Sequence, residues 1–424
     1  MAAHPSLVKL SEEFRKDVIE LAPNHYIAVG YAASNVHMIV GDDGVIIIDT
    51  TETTKAASNV FAEFRKITDK PVKTIILTHS HRDHISGASI FAEGGLPDIY
   101  ASHHFKSDLV VVGEKRPTPT EIMIKRTKRQ FGMGLSWPEE RVNLGVGPGD
   151  RPLEGMGQGF LPPTKLMPEG RHKILSCSVE IELMLAQGET PDHMIVWSPA
   201  HKVLFCGDNF YHSFPNLYAI RGTAYRDFNS WADTMDILSS FNAEILSPGH
   251  SRPIYGAQNI RSVLEDYRDA IRHVVSETAK GMNEGKSPDE IAQEIQLPTA
   301  LADKPYLQEF YGKVSYAARA YFAGTVGWFD GNPTNLNRMA PATEAEKIIT
   351  LAGGADRVLE TAQNAHKKSD NQWALALCDR LIAVDHHREE ATQIKISALR
   401  QMADKEINAP ARNYYLVCAK DLAK

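Results

Sequence analysis

Apolar residues before position 260 fall into short β-branched runs interrupted by Gly, Asp and Pro, whereas after it they recur at helical spacing. The spacing predicts a short charged helix near Ser11–Leu21. Strands are then expected at Tyr26–Tyr31, at Val36–Val40 and, after the turn Gly41-Asp42-Asp43-Gly44, at Val45–Ile48. Ala57, Val60, Phe61, Phe64 and Ile67 share one helical face over Thr54–Thr68. Thr74-Ile75-Ile76-Leu77 reads as a buried strand, Ile85–Ala88 as the start of a helix, and Ile99–Ser102 as another strand. Regular alternation returns at Lys173–Leu185, Met194–Trp197 and Lys202–Cys206, and an apolar turn is expected at Ala243–Leu246.

Between residues 113 and 170 the chain is rich in Gly, Pro and charge: Arg116-Pro117-Thr118-Pro119, Gly145-Val146-Gly147, Gly155-Met156-Gly157, Leu161-Pro162-Pro163. A loop region of that length inside a compact domain is uncommon unless it is functional or disordered. It reads as an insertion over the mouth of an active site. Phe131, Met133, Leu135, Trp137, Phe160 and Leu161 would suit an alkyl chain, and would equally serve as the insertion's own small core.

From Ile260 onward, Val263, Leu264, Tyr267, Ile271, Val274 and Val275 form one apolar stripe. Ser287-Pro288-Asp289-Glu290 is a helix start, with Ser287 as N-cap and Pro288 in the first turn. Residues 343–424 alternate apolar stripes and polar turns, as stacked helix pairs do. The pattern divides the chain into residues 1–258, of α/β character, and 259–424, all helical.

Length and charge narrow the possibilities further. A chain of 424 residues can bury a substantial core, and its formal net charge of −7 gives no reason to expect a nucleic-acid partner. The four cysteines are widely spaced with no Cys-x-x-Cys pair, which suits reduced thiols better than a disulfide framework. No segment is long and apolar enough for a signal peptide or a membrane span, so the expected location is cytoplasmic, or periplasmic or secreted had a signal been removed.

The chemistry concentrates in Thr78-His79-Ser80-His81-Arg82-Asp83-His84, directly after an apolar strand. At a strand end, alternate side chains can splay to opposite sides of a turn. His79 and His81 can then grip one ion, and Asp83 and His84 a second. Imidazole with carboxylate suits zinc or another first-row divalent ion. Asp49, at the end of its own strand, is either a partner for a ligand histidine or a turn residue. His103 and His104 follow the Ile99–Ser102 strand, where a surface or supporting role is expected over pocket lining.

His-x-His-x-Asp-His after a strand resembles the signature of the metallo-β-lactamase superfamily, which implies an αββα sandwich holding one or two metals at its strand ends. The resemblance extends to Glu189 in Gly188-Glu189-Thr190-Pro191, Asp208 in Gly207-Asp208-Asn209, and His250 in Ser247-Pro248-Gly249-His250. It implies the ligand set His79, His81, Asp83, His84, Glu189, Asp208 and His250 for two Zn2+ per chain, or other first-row divalent ions, with Asp208 bridging. His193 competes with Glu189 and is read as a supporting residue. Ser86 stands where the superfamily usually has Gly.

Glutamate at position 189, and above all Asn216-Leu217-Tyr218-Ala219-Ile220-Arg221-Gly222, resemble one branch, the alkylsulfatases. That resemblance implies hydrolysis of alkyl sulfate esters to alcohol and inorganic sulfate by a metal-activated water. Asp83 and Asp208 would serve that activation, and Asn216 and Arg221 would hold the sulfate, with Arg221 catalytic. Arg supplies a planar fork and Asn a neutral donor for such an oxyanion. Tyr311-Gly312, Arg319-Ala320-Tyr321-Phe322, Gly327-Trp328-Phe329-Asp330-Gly331 and Asn413-Tyr414-Tyr415-Leu416 resemble the helical dimerisation domain of those enzymes, implying a homodimer. Asp208 stands where those sulfatases commonly carry Glu, and the chain stops at Lys424 without the sterol-carrier-like domain that longer members append. The rival readings are a lactonase, thioesterase or phosphodiesterase on the same scaffold, or a non-catalytic metal-binding dimeric scaffold.

Overall fold

The computed structural model describes residues 3–107 and 120–424, so the Arg116–Pro119 part of the expected insertion lies outside the described residues. Two sheets lie face to face. The first runs in order β1 (Asp17–Ala22), β2 (His25–Val29), β3 (Val36–Val40), β4 (Val45–Ile48), β5 (Val72–Ile76), β6 (Asp98–Ser102) and β7 (Lys165–Met167). Its first four strands form an antiparallel meander, and β4 to β7 are parallel. The second sheet has the order β13 (Ile254–Tyr255), β12 (Ile245–Pro248), β11 (Val203–Gly207), β10 (Met194–Ser198), β9 (Val179–Leu185), β8 (Arg171–Ser176).

Alternation within single strands explains the layering. In β4, Ile46 and Ile48 point between the sheets, where they meet Leu183, Val196 and Phe205, while Val45 and Ile47 face the helices Thr54–Phe64 and Ala88–Ala92. All four are buried because both faces are covered, which is why the run has no polar positions. Each such side chain contributes about 1.5–3 kcal/mol of burial. The outer face of the second sheet buries Trp197, Leu204 and Leu246 against the helices Phe228–Ser240 and Ala257–Asn283. The result is the αββα sandwich expected, followed by a helical region.

The structure also corrects several expectations. The charged helix near Ser11–Leu21 is instead a 3-10 turn, Ser11–Phe14, followed by strand β1. Hydrogen bonding to β2, in register from Asp17 opposite Val29, outweighs its helical spacing. Ala243–Leu246 is not a turn but leads into β12, which lies parallel to β11. The 113–170 stretch holds a helix, Thr120–Gln130. The apolar residues of that stretch are mostly core: Leu135 packs with Ala403, Leu416 and Val417 of the helical region, and Phe160 and Leu161 lie against the first sheet's outer core. Trp137 is exposed, and Phe131 packs beside Val146, Tyr211 and Tyr311.

The predicted helix start at Ser287 is present as a capping box, with Ser287 Oγ accepting from Glu290 N and the Glu290 carboxylate accepting from Ser287 N. Helix Ala257–Asn283 carries the predicted apolar stripe, and its core is continuous with that of the second sheet, since Tyr267, Ile271 and Val274 pack with Trp231 and Phe210. Among the described residues, no helix is long and apolar enough to cross a membrane.

Candidate metal centre

The seven sequence-selected ligands arrive from four strand ends and meet at one edge of the sandwich. His79 and His81 follow β5, and Asp83 and His84 open the turn Arg82–Ile85. Glu189 follows β9, Asp208 follows β11, and His250 follows β12. Three groups of three, His79–His84–Asp208, Asp83–His84–His250 and His81–Glu189–Asp208, each place their ligand atoms within 4.8 Å of one another.

Asp208 stands between the groups. Its Oδ1 lies 3.3 Å from His84 Nε2, and its Oδ2 lies 3.2 Å from His250 Nε2 and 3.7 Å from His79 Nε2. Asp83 Oδ2 is 3.5 Å from His250 Nε2 and 3.7 Å from His84 Nε2. His81 Nδ1 lies 3.6 Å from Glu189 Oε1 and 3.0 Å from His79 Nε2.

Partners behind the rings decide which nitrogen faces inward. Asp49, the residue held open between two roles by sequence, accepts from His84 Nδ1 at 2.8 Å and from Thr78 Oγ1 at 2.9 Å. Because the Thr78 hydroxyl hydrogen is spent on Asp49, its oxygen accepts from His79 Nδ1 at 3.0 Å. His250 Nδ1 donates to the Ala33 carbonyl at 2.7 Å. In all three rings Nδ1 is engaged outward, so Nε2 is the nitrogen that faces the carboxylates, as in metal-ligating histidines.

His193 is placed differently. Its Nε2 accepts from the Asp208 backbone N–H at 3.0 Å, and its ring stacks on His79 at 4.9 Å. It therefore orients Asp208 and faces none of the three groups. Gly207, at φ +51°, has no room for a side chain, since a Cβ there would come within 2.6 Å of His193 Nε2. Gly249 is equally constrained: a Cβ would lie 2.6 Å from Asp208 Oδ1 and 2.9 Å from His84 Cε1. Ser86 is accommodated, donating from Oγ to the Arg82 carbonyl at 2.6 Å.

Electrostatics follow the packing. Burial drives the His79 ring well down, and takes His81 to about 3 with Arg221 and Arg226 adding. Burial likewise takes His193 to about 3. For Asp208, burial opposes ionisation, but His250 and His84 reverse this and hold the carboxyl well below its ordinary range. Burial would lower His250, yet Asp208 and Asp83 bring it up to about 10. Burial pushes the Glu189 carboxyl up, Arg226 pulling against it.

Asn216 and Arg221 stand beside this cluster. The Arg221 charge acts on both His81 and Glu189. Asn216 Nδ2 and Arg221 Nη1 are buried with no hydrogen-bond partner among the described residues. Gln130 Oε1 accepts from Arg221 N at 2.8 Å, and Arg126 Nη2 donates to the Ile220 carbonyl at 2.8 Å, so the helix Thr120–Gln130 braces this loop. Phe131 lies under the Arg221 guanidinium at 5.9 Å.

Four participants escaped the sequence reading. Arg226 Nη2 pairs with Glu189 Oε1 at 2.7 Å, both side chains buried. Tyr211 accepts from Asn216 N at 2.7 Å through its hydroxyl, and its ring meets Tyr311 at 5.8 Å. Glu52 accepts from Ala33 N at 3.0 Å and pairs with Arg151 at 2.8 Å, anchoring the residue whose carbonyl holds His250. No motif surrounds any of them. His103 and His104 lie outside the cluster, exposed beside Glu169, in keeping with a surface position.

The double sheet flanked by helices, with a His/Asp cluster at its strand ends, defines a metallo-β-lactamase-type metal-dependent hydrolase. Residues 29–250 match the Metallo-beta-lactamase superfamily, and residues 287–424 match Alkyl sulfatase dimerisation. A linear primary-alkylsulfatase of Pseudomonas sp. is 35% identical over 393 residues, covering 91% of this chain and 73% of that protein. The alkyl/aryl-sulfatase BDS1 of Saccharomyces cerevisiae is 30% identical, covering 96% of this chain and 64% of that one. Among solved structures, the stereoselective inverting sec-alkylsulfatase Pisa1 from Pseudomonas sp. superposes with a TM-score of 0.88 at 27% identity, covering 100% of this chain and 68% of that one. The chain belongs to the alkylsulfatase family of the metallo-β-lactamase superfamily, and spans between about two thirds and three quarters of the length of these relatives.

Proposed function

We propose that the protein hydrolyses alkyl sulfate esters to an alcohol and inorganic sulfate, using two divalent ions held by His79, His81, Asp83, His84, Glu189, Asp208 and His250. The observation that carries the reading is two buried, unsatisfied donors, Asn216 Nδ2 and Arg221 Nη1, beside a largely buried His/carboxylate cluster. Both halves are costly unless a ligand completes them. An unpaired buried donor costs about 1–3 kcal/mol.

The donor set fits divalent ions. His84 Nε2, Asp208 Oδ1 and Glu189 Oε2 are buried without a hydrogen-bond partner, which is what ligand atoms awaiting an ion would show. His79, His81 and Glu189 would hold one ion, Asp83, His84 and His250 the other, with Asp208 between them. Zinc suits the nitrogen-rich set. The chemistry such ions supply is Lewis acidity and activation of water near neutral pH.

The chain's own residues do the rest. Arg221 presents its fork to two sulfate oxygens and Asn216 adds a neutral donor, so the ester's negative charge is neutralised as it is transferred to the departing group. Phe131, stacked under the guanidinium, holds it in orientation and excludes water from one side. When the C–O bond is the one that breaks, the leaving group is sulfate, a weak base whose departure needs little proton donation, so a general acid is optional. The Asp49–Thr78–His79 and Asp49–His84 bonds keep the ligand rings from turning.

The helical region supports a homodimer. Trp328 is 75% exposed and Leu351 88% exposed, large apolar side chains within the stretch that matches the dimerisation family. The decisive experiment measures sulfate release from primary and secondary alkyl sulfates beside hydrolysis of lactones, thioesters and phosphodiesters. Sulfate esters are expected to give the highest kcat/KM. A lactone or phosphodiester leading by tenfold or more would replace the reading with that of another hydrolase on the same scaffold.

A further inference from the structure

Away from the buried cluster, two adjacent histidines and a glutamate stand together at the first sheet's edge. His103 and His104 follow β6 and Glu169 follows β7, strands paired in parallel through Ser102 and Met167. The arrangement is fixed from behind. The Met167 carbonyl accepts from His103 N at 2.9 Å and from His103 Nδ1 at 3.1 Å. His104 N donates to Ser102 Oγ at 3.0 Å, and His172 Nε2 donates to the Glu169 carbonyl at 2.9 Å.

A carbonyl oxygen can only accept, so His103 Nδ1 carries the hydrogen and the neutral ring turns an Nε2 lone pair outward. That lone pair faces Glu169 Oε1 at 3.9 Å, while His104 Nε2 hydrogen-bonds to the same oxygen at 3.1 Å, through a proton that a cation bound there would replace. The three ligand atoms lie within 4.8 Å of one another. Two imidazoles and a carboxylate, with a carbonyl behind one ring, are a ligand chemistry suited to zinc, nickel or copper. His104 and Glu169 border a cavity of about 610 Å³ whose other lining includes Ser80 and His81.

We propose that His103, His104 and Glu169 form an exposed site for one first-row divalent cation, separate from the buried cluster and weaker than it. Three ligands leave coordination positions open to solvent. An ion there would add positive charge to the wall of the cavity that His81 also lines, which favours anionic ligands entering it. The inference rests on these residues alone, and stands or falls independently of the sulfatase reading.

The test uses full-length protein first saturated with Zn2+ and dialysed to remove loosely held ions. Equilibrium dialysis against micromolar to low-millimolar Zn2+ should show one further equivalent per chain in the wild type. His104→Ala and Glu169→Gln should each lose it, and His387→Ala, a control at another exposed histidine–carboxylate pair, should retain it. Cu2+ added to the Zn-saturated wild type should give an electron paramagnetic resonance spectrum with imidazole nitrogen couplings, absent from His104→Ala. Equal stoichiometry in the wild type, His104→Ala and Glu169→Gln, or loss of the extra equivalent in His387→Ala, would overturn the proposal.

Discussion

Arg226 and Glu189 form a buried ion pair 2.7 Å long beneath the cluster. Arg226 Nη1 also donates to the Asn216 carbonyl. One guanidinium thus ties a candidate metal ligand to the loop that carries Asn216 and Arg221. One Glu189 oxygen is spent on Arg226, which leaves Oε2 as its free donor.

Removing Arg226 therefore strands a buried carboxylate. Arg226→Ala should destabilise the fold by about 3–5 kcal/mol, the range for breaking a buried pair by deleting one partner, and should lower metal content together with activity. Arg226→Lys should keep part of both. Denaturant melts and elemental analysis check this, and a wild-type midpoint in Arg226→Ala would show that Glu189 needs no such partner.

Arg221 is expected to separate binding from metal loading. Arg221→Ala should lower kcat/KM on sulfate esters by about 10²–10³-fold, as loss of one preorganised donor typically does, with metal content unchanged. Arg221→Lys should recover little, because an ammonium lacks the planar fork. Wild-type kcat/KM in Arg221→Ala would remove the sulfate-pocket assignment.

Gly249 offers a test of the cluster that spares every ligand. Gly249→Ala would drive a methyl to 2.6 Å from Asp208 Oδ1, so the bound metal should fall from two ions per chain. Elemental analysis after gel filtration decides it. A chain that holds two ions with alanine at 249 would mean Asp208 does not sit between them.

Glu309 predicts a pH dependence. Burial raises its carboxyl above 4.5, against its hydrogen bond to Val314 N. Stability linked to it is present below the unfolded value and is lost as pH rises through the folded one. Glu309→Gln keeps an acceptor for Val314 N without the charge, so its stability relative to wild type should be greater at pH 7 than at pH 4. Thermal melts at the two pH values would contradict this if the difference were constant or reversed.

Assembly is expected to yield a dimer near 94 kDa, twice the 47.0 kDa chain. An obligate interface would bury above about 2,000 Å² in total. Light scattering at low micromolar concentration measures it directly, and a single 47.0 kDa species would establish a monomer. Trp328→Asp, placing a charge on an exposed aromatic, should shift the population toward monomer.

The sequence by itself determined most of the sandwich's inner strands and the His79–His84 ligand run, because local signals suffice for both, while Glu189, Asp208 and His250 were named through the family resemblance. Val45–Ile48 is apolar at every position because the strand is covered on two faces, and His79 to His84 lie within one turn of chain. Asn216 and Arg221 were singled out only through the family resemblance of the run that contains them. Tertiary structure decided what depends on contacts between distant segments. Pairing with β2 turned Asp17–Ala22 into a strand despite its helical spacing. Asp49 gained its role only when folding brought it 2.8 Å from His84 Nδ1. Arg226 meets Glu189 across 37 positions of sequence, and Glu52 meets Arg151 across 99, separations at which neither residue carries a local mark of its partner. Side chains close in sequence announce shared chemistry through their spacing, whereas a buried ion pair between remote loops is fixed only by the packing that excludes water from both.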